Sequence, residues 1–336
     1  MDYDTYRLQS LEADPYFMEN YLAHSRRLVP GEKVPQSLVC VDERANKVIS
    51  QENEGDDSSI IVSFPGGGIK FISEGEVKNL LLRSNGEITI YAHRLCGWGE
   101  LTFNSYLYLD NNGAGSAYDT DDQYALYGVN TVLGYIGNAL NDEYFRSRFV
   151  FDDQYILDEA EAYVWDRYNK VNNRNSDQNP YYDESFGEFF QWAFVYGQAI
   201  ELKNEIYDTY NSLKERDYAF ILRNGLSVTI ELDPLEGQPH NHIANSAVIN
   251  CTTRSIIDRF DVDGAPAFFA DVDEDNIEGV VDLILRIMEG DHSDTQDTTH
   301  RAYVVCESEA QKAKIQKILA PYGGVNRKIL FYVSPE

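Results

Sequence analysis

The 336-residue chain reads as an α/β protein: a mostly parallel central sheet flanked by helices, with a large helical insertion and an α/β C-terminal extension. Three observations predict this. Short apolar runs bounded by glycine, proline or polar clusters mark buried strands. Segments of helical spacing fall between them, and the resulting strand, helix, strand succession implies parallel pairing. A long tyrosine-, asparagine- and acid-rich stretch of helical periodicity then interrupts the alternation before it resumes.

Residues 10–29 set Leu11, Tyr16, Phe17, Tyr21 and Leu22 at helical spacing, and Pro30 with Gly31 stops the pattern, so a helix leads in. Residues 37–41, 60–64 and 88–92 are predicted strands; the second runs into Pro65 and three glycines, the third into His93. Residues 74–83 have helical spacing and lie between the second and third strands. In such sheets ligands bind at the carboxyl ends of strands. Further helices are predicted over 124–140, 155–168 and 186–213, with 172–180 a polar loop. Strands at 218–222 and 227–232 form a pair, followed by strands at 246–249 and 267–272, a helix at 277–288, a strand at 302–306, a helix at 309–319 and a strand at 328–333. The organisation is then a metal-binding core over 1–112, a helical segment over 113–216, and an α/β part over 217–336 that could complete the same sheet. No repeat of fixed period appears, and the acidic stretch 290–299 is an exposed loop.

Lysine and arginine number 28 against 56 aspartates and glutamates, a formal charge of −28. Such a field repels nucleic-acid phosphates and anionic membranes, and no basic run offers a local exception. Neither nucleic acid nor membrane is an expected partner. The acidity serves solubility in its simplest reading, with a salty cytoplasm as the alternative. No signal-like or membrane-spanning apolar run is present, and the cysteines Cys40, Cys96, Cys251 and Cys306 are scattered, so a reducing, cytoplasmic setting is expected.

Two motifs carry chemistry. Cys40, Asp42 and Arg44 form CxDxR, and His93 with Cys96 forms HxxC, 53 residues separating Cys40 from His93. Two thiolates and an imidazole are three protein ligands of a tetrahedral zinc, with one position open to a small molecule. Zinc lowers the pKa of water it binds, making hydroxide available at ordinary pH. Asp42 can accept a hydrogen bond from that hydroxide and orient it, and Arg44 can hold Asp42 ionised through a bidentate pair.

Here the chain resembles the β-class carbonic anhydrases. The resemblance covers roughly residues 14–97: "DPYFMENYLAHSRRLVPGEKVPQSLVCVDER" is similar to that family's helix, linker and first strand, "IIVSFPGGGIKF" to its second strand and glycine-containing turn, and "ITIYAHRLCG" to its third strand with the HxxCG ending, Gly97 included. It implies Cys40, His93 and Cys96 as zinc ligands, Asp42 and Arg44 as the catalytic dyad, reversible hydration of carbon dioxide to bicarbonate, and a homodimer or higher homo-oligomer. It also implies that Asp42 can occupy the fourth position of zinc in a closed state. The chain departs from the family at Trp98, Gly99, Glu100 and Leu101 and beyond about residue 112. The "FPGGGIKF" segment also resembles the cadmium-using ζ-class, so cadmium substitution is a further implication, although the cysteine spacing favours β. Carbon disulfide or carbonyl sulfide is an alternative electrophile, and an inactive scaffold an alternative class.

Other candidates have simpler readings. Residues 65–68 could cradle an anion but read as a tight turn. His240 and His242 lack partner ligands and read as a loop. Asp271, Asp273 and Asp275 resemble the start of a calcium loop, but Asn276 stands where its glycine would be, and an acidic helix N-terminus accounts for them. Cys251 and Cys306 read as packed thiols at strand ends. The stripe Phe186, Phe189, Phe190, Ala193, Phe194, Ile200 and Tyr207 reads as core, with a subunit interface as the alternative.

Overall fold

The computed structural model of the chain describes residues 16–27, 32–40, 60–64, 74–94, 96–108, 121–149, 153–172, 187–216, 222, 225–233, 246–256, 267–272, 274, 276–289 and 300–335. It is α/β, with parallel sheets flanked by helices. Among the described residues no helix is long and apolar enough to cross a membrane. The chain groups into two compact units, one of Met1–Tyr91, Glu205–Thr229 and Leu235–Glu336, the other of Ala92–Asn204 and Ile230–Pro234.

The first unit holds two sheets. Helix α1 (Phe17–Ala23) leads into strand β1 (Ser25–Arg27), followed by β2 (Val34–Cys40), β3 (Ile60–Phe64), α2 (Glu74–Arg83) and β4 (Ser84–His93). Strand β2 pairs in parallel with both β3 and β4. The α2 crossover makes this possible, since parallel neighbours cannot be joined by a hairpin. The predicted strands 60–64 and helix 74–83 match these elements, while β2 and β4 begin earlier than their apolar runs. Helix α1 is shorter than expected over 10–29: Ser25 pairs with Ile256 and Arg27 with Arg254, so residues 25–27 serve a sheet.

From the C-terminal part, β5 (Ser227–Asp233) and β7 (Arg254–Ile256) join the same sheet, in the order β1-β7-β3-β2-β4-β5. The second sheet has the order β10-β9-β6-β8 and is parallel throughout: β6 (Ser246–Cys251), β8 (Ala267–Asp271), β9 (His300–Cys306) and β10 (Arg327–Val333). Two parallel crossovers use α8 (Ile277–Glu289) and α9 (Glu309–Leu319). As expected for strands covered on both faces, β9 is nearly uninterrupted apolar sequence, with Ala302 to Cys306 inaccessible. On one face α1 contributes Phe17 and Tyr21, four residues apart; the Phe17 ring lies 4.5 Å from Tyr303 and 4.6 Å from Tyr332.

The chain passes from β6 to β7 through a turn built on Asn250. Its Oδ1 accepts from Tyr21 Oη, and its Nδ2 donates to the Arg254 carbonyl and to Asp271, while the Arg254 N–H donates to Thr252 Oγ1. A buried amide with both ends engaged fixes the turn without an unpaired polar group.

The second unit is helical: α3 (Gly97–Leu107), α4 (Asp121–Asn141), α5 (Glu143–Ser147), α6 (Asp153–Val171) and the first part of α7 (Gly187–Arg216). Its core is aromatic, with Phe103, Phe145, Phe190 and Phe194 fully buried. The stripe on α7 is therefore core packing at Phe190, Ala193 and Phe194. Gly197 allows α7 to approach α4, since a Cβ there would stand 2.0 Å from the Tyr135 carbonyl oxygen.

Candidate metal centre

Cys40 ends β2 and His93 ends β4. Gln36 is level with Ile88 and Leu38 with Ile90, so the two strands finish at one edge of the sheet. Residues far apart in sequence thus meet because parallel pairing aligns the strands' carboxyl ends.

After His93 the chain turns at Arg94, and Cys96 caps the N-terminus of α3. Cys40, His93 and Cys96 form a buried group whose ligand atoms all lie within 4.8 Å of one another, and it could hold a metal ion. Their exposures are 2%, 1% and 5%, so an ion between them would be screened from bulk water. Thiolates are costly to bury without a compensating cation, which makes the arrangement one that a cation stabilises.

The supporting interactions favour the ligating forms. His93 Nδ1 lies 2.9 Å from the Arg94 carbonyl oxygen. A carbonyl only accepts, so Nδ1 bears the proton and Nε2 the lone pair that a metal needs. Cys96 Sγ accepts the Gly99 backbone N–H at 3.4 Å, in the first turn of α3. Helix N-termini favour negative charge, and the thiolate is the form so favoured.

Within the second unit, α7 packs against the end of β4 and the turn that follows it. Trp192 Nε1 on α7 donates to the Ala92 carbonyl at 3.2 Å, and Arg94 forms an ion pair with Glu188. A Cβ on Gly99 would stand 2.3 Å from Val195 Cγ2 and 3.3 Å from Cys96 Cβ. Only glycine lets α7 pack directly against the turn carrying the thiol.

Of the sequence-derived candidates, Cys40, His93 and Cys96 come together, while Asp42 and Arg44 lie outside the described residues. Residues 65–68, His240, His242, Asp273 and Asp275 also lie outside them. Asp271 is engaged with Asn250. Cys251 and Cys306 are buried and level with each other on β6 and β9, and none of the four cysteines is in a disulfide. Burial pushes the Cys306 thiol up to about 12, in keeping with a packed thiol. The supporting residues Gly99, Trp192 and Val195 were not found by motif reasoning. The signal for Gly99 was present as a departure from the expected sequence after HxxCG.

The chain matches no protein-family model, no curated protein and no solved structure.

Proposed function

We propose that the chain is a zinc-dependent carbonic anhydrase of the β-class type, catalysing reversible hydration of carbon dioxide to bicarbonate. The observation that carries the proposal is the buried group of Cys40, His93 and Cys96. Cys2His is a catalytic zinc donor set, leaving a fourth position for water or substrate. Zinc bond lengths imply ligand-to-ligand edges of about 3.6–3.8 Å in a tetrahedral site. Donors within 4.8 Å of one another therefore fit zinc after a small inward adjustment.

Bound there, zinc supplies the Lewis acidity that makes water a nucleophile near neutral pH. The chain's own groups do the rest. Cys40 and Cys96 bind as thiolates, the latter supported by the Gly99 N–H. His93 binds through Nε2 while the Arg94 carbonyl holds its Nδ1 proton. By the resemblance, Asp42, two residues beyond Cys40 in sequence, would accept a hydrogen bond from the nucleophile and orient it, and Arg44 would keep Asp42 ionised. The burial of Cys40, His93 and Cys96 themselves keeps bulk water from the group, which strengthens these electrostatic interactions.

Stopped-flow hydration of carbon dioxide at alkaline pH, on protein loaded with zinc, tests the reading. The expected result is a rate above buffer that Asp42→Ala lowers by about a hundredfold or more while zinc is retained. No rate above buffer in zinc-replete protein contradicts it. Hydrogen sulfide release from carbonyl sulfide or carbon disulfide in the absence of carbon dioxide hydration redirects the same site to a sulfur analogue.

A further inference from the structure

Cys251 ends β6 and Cys306 ends β9, and the parallel register sets them level with each other. Level residues of parallel neighbours share a face of the sheet. The packing agrees: Val248, Tyr303 and Val305 lie on the face covered by Phe17 and Tyr21. Cys251 and Cys306 stand an odd number of residues from them along their strands, and so share the other face. Adjacent strands run about 4.8 Å apart, inside the Cα separation of about 4.4–6.8 Å that a disulfide accepts. Both residues are thiols in the structure.

Hydrogen bonds hold the two strand ends in this register. Gln311 on α9 bridges them with one carboxamide: its Nε2 donates to the Cys251 carbonyl at 3.0 Å, and its Oε1 accepts the N–H of Glu307, the residue after Cys306, at 2.6 Å. The Ser334 N–H donates to the Cys306 carbonyl at 2.9 Å, which ties the end of β9 to the chain leaving β10. Access to the two thiols differs. Cys251 is 8% exposed and lines a cavity of about 340 Å³ that opens at this strand edge, whereas Cys306 is inaccessible.

We propose that Cys251 and Cys306 are a dithiol that a small disulfide, RSSR, oxidises reversibly to an intrachain disulfide. Cys251 loses its proton to solvent and its thiolate attacks one sulfur of the reagent, forming Cys251–S–SR and releasing RS⁻, which solvent protonates. Cys306 Sγ then attacks Cys251 Sγ; the S–SR bond breaks, and the departing RS⁻ takes the Cys306 proton. The two thiols give up two electrons and two protons, and the reagent is reduced to two RSH. The order follows from access, since of the two only Cys251 lines the cavity. Burial pushes the Cys306 thiol up to about 12, which makes the second step the slow one. Level Cβ atoms on parallel strands stand about 4.8 Å apart, beyond the roughly 3.5–4.5 Å of a relaxed disulfide. Closing the bond draws the strand ends together against the Gln311 bridge, so the link is readily reduced and reversible rather than structural.

Bis(2-hydroxyethyl) disulfide, a neutral reagent, added to the folded full chain in the presence of zinc tests this, with unreacted thiols then blocked and peptides mapped by mass spectrometry without reduction. The expected product is a linked pair of peptides carrying Cys251 and Cys306, from a chain lighter by two hydrogens, and excess 2-mercaptoethanol returns both thiols. Cys306→Ser is expected to stop at the mixed disulfide on Cys251, with Cys306→Ala taking its place if the serine variant fails to fold by circular dichroism. Cys251→Ser is expected to slow the modification of Cys306 about tenfold or more, since its route through Cys251 is gone. Folded chain that forms no Cys251–Cys306 link, or forms it only in urea, overturns the inference. So does a link that excess 2-mercaptoethanol leaves intact, or a Cys306 that reacts as fast in the folded Cys251→Ser variant.

Discussion

The Gly99 backbone N–H points at the Cys96 thiol, 3.4 Å away, in the first turn of the helix that Cys96 itself caps. One residue thus ends the turn after β4, starts α3 and presents a sulfur to Cys40 and His93. The absence of a side chain at position 99 is what lets Val195 close over this turn.

Gly99→Ala is expected to destabilise the fold by about 1–3 kcal/mol, the range for overpacking, because the β-branched and buried Val195 has little freedom to yield. Urea unfolding measures the loss, and competition with a chelator measures the accompanying fall in metal affinity. The double variant Gly99→Ala with Val195→Ala restores part of both, since the nearest clash is then removed.

Trp192→Phe removes the indole donor to the Ala92 carbonyl while keeping an aromatic ring. It should cost about 1 kcal/mol, the usual net value of such a bond. Hydrogen exchange at the end of β4 should quicken with it; unchanged protection there would mean that α7 does not hold the strand end.

The thiols should differ in reactivity. With its thiol raised to about 12, Cys306 is ionised at pH 8 to only about one part in ten thousand. Iodoacetamide labelling of folded protein, mapped by mass spectrometry, should leave Cys306 unmodified, and label Cys40 and Cys96 faster after chelation than before.

Glu307 gives the fold a sign-defined response to acid. Its folded carboxyl lies below the ordinary value, because hydrogen bonding by Thr253 and pairing with Arg27 outweigh burial. The stabilisation is therefore present above the unfolded pKa of about 4.3 and is lost as pH falls through the folded value. Thermal unfolding should find Glu307→Gln less stable than wild type at pH 7, with the gap closing in strong acid. A gap that is constant with pH contradicts this.

Much of this fold was readable where burial is simplest. Strand β3 and helices α2 and α9 were located residue for residue, since each is a short apolar run or an amphipathic segment bounded by clear breaks. Helix α3 was missed because its cap is a cysteine and its first turn holds two glycines, neither of which signals a helix start. Strand β7 is three residues long and owes its conformation to pairing with β1, a tertiary cause that no local pattern carries. The 25–27 strand was absorbed into the predicted leading helix for the same reason. The metal ligands were legible because thiols and imidazole at strand ends have few other uses. Their support by Gly99, Trp192 and Val195 was not, since it depends on how α7 packs within the second unit.

Metal content decides whether the Cys40, His93 and Cys96 group is a metal centre at all. Purified chain, dialysed free of loosely bound ions, should carry about one zinc per chain by mass spectrometry, as a single Cys2His site requires. Cys40→Ala, folded by circular dichroism, should lose most of it. Folded wild-type protein that takes up no zinc when offered it, or a Cys40→Ala variant that retains the full complement, would contradict the assignment.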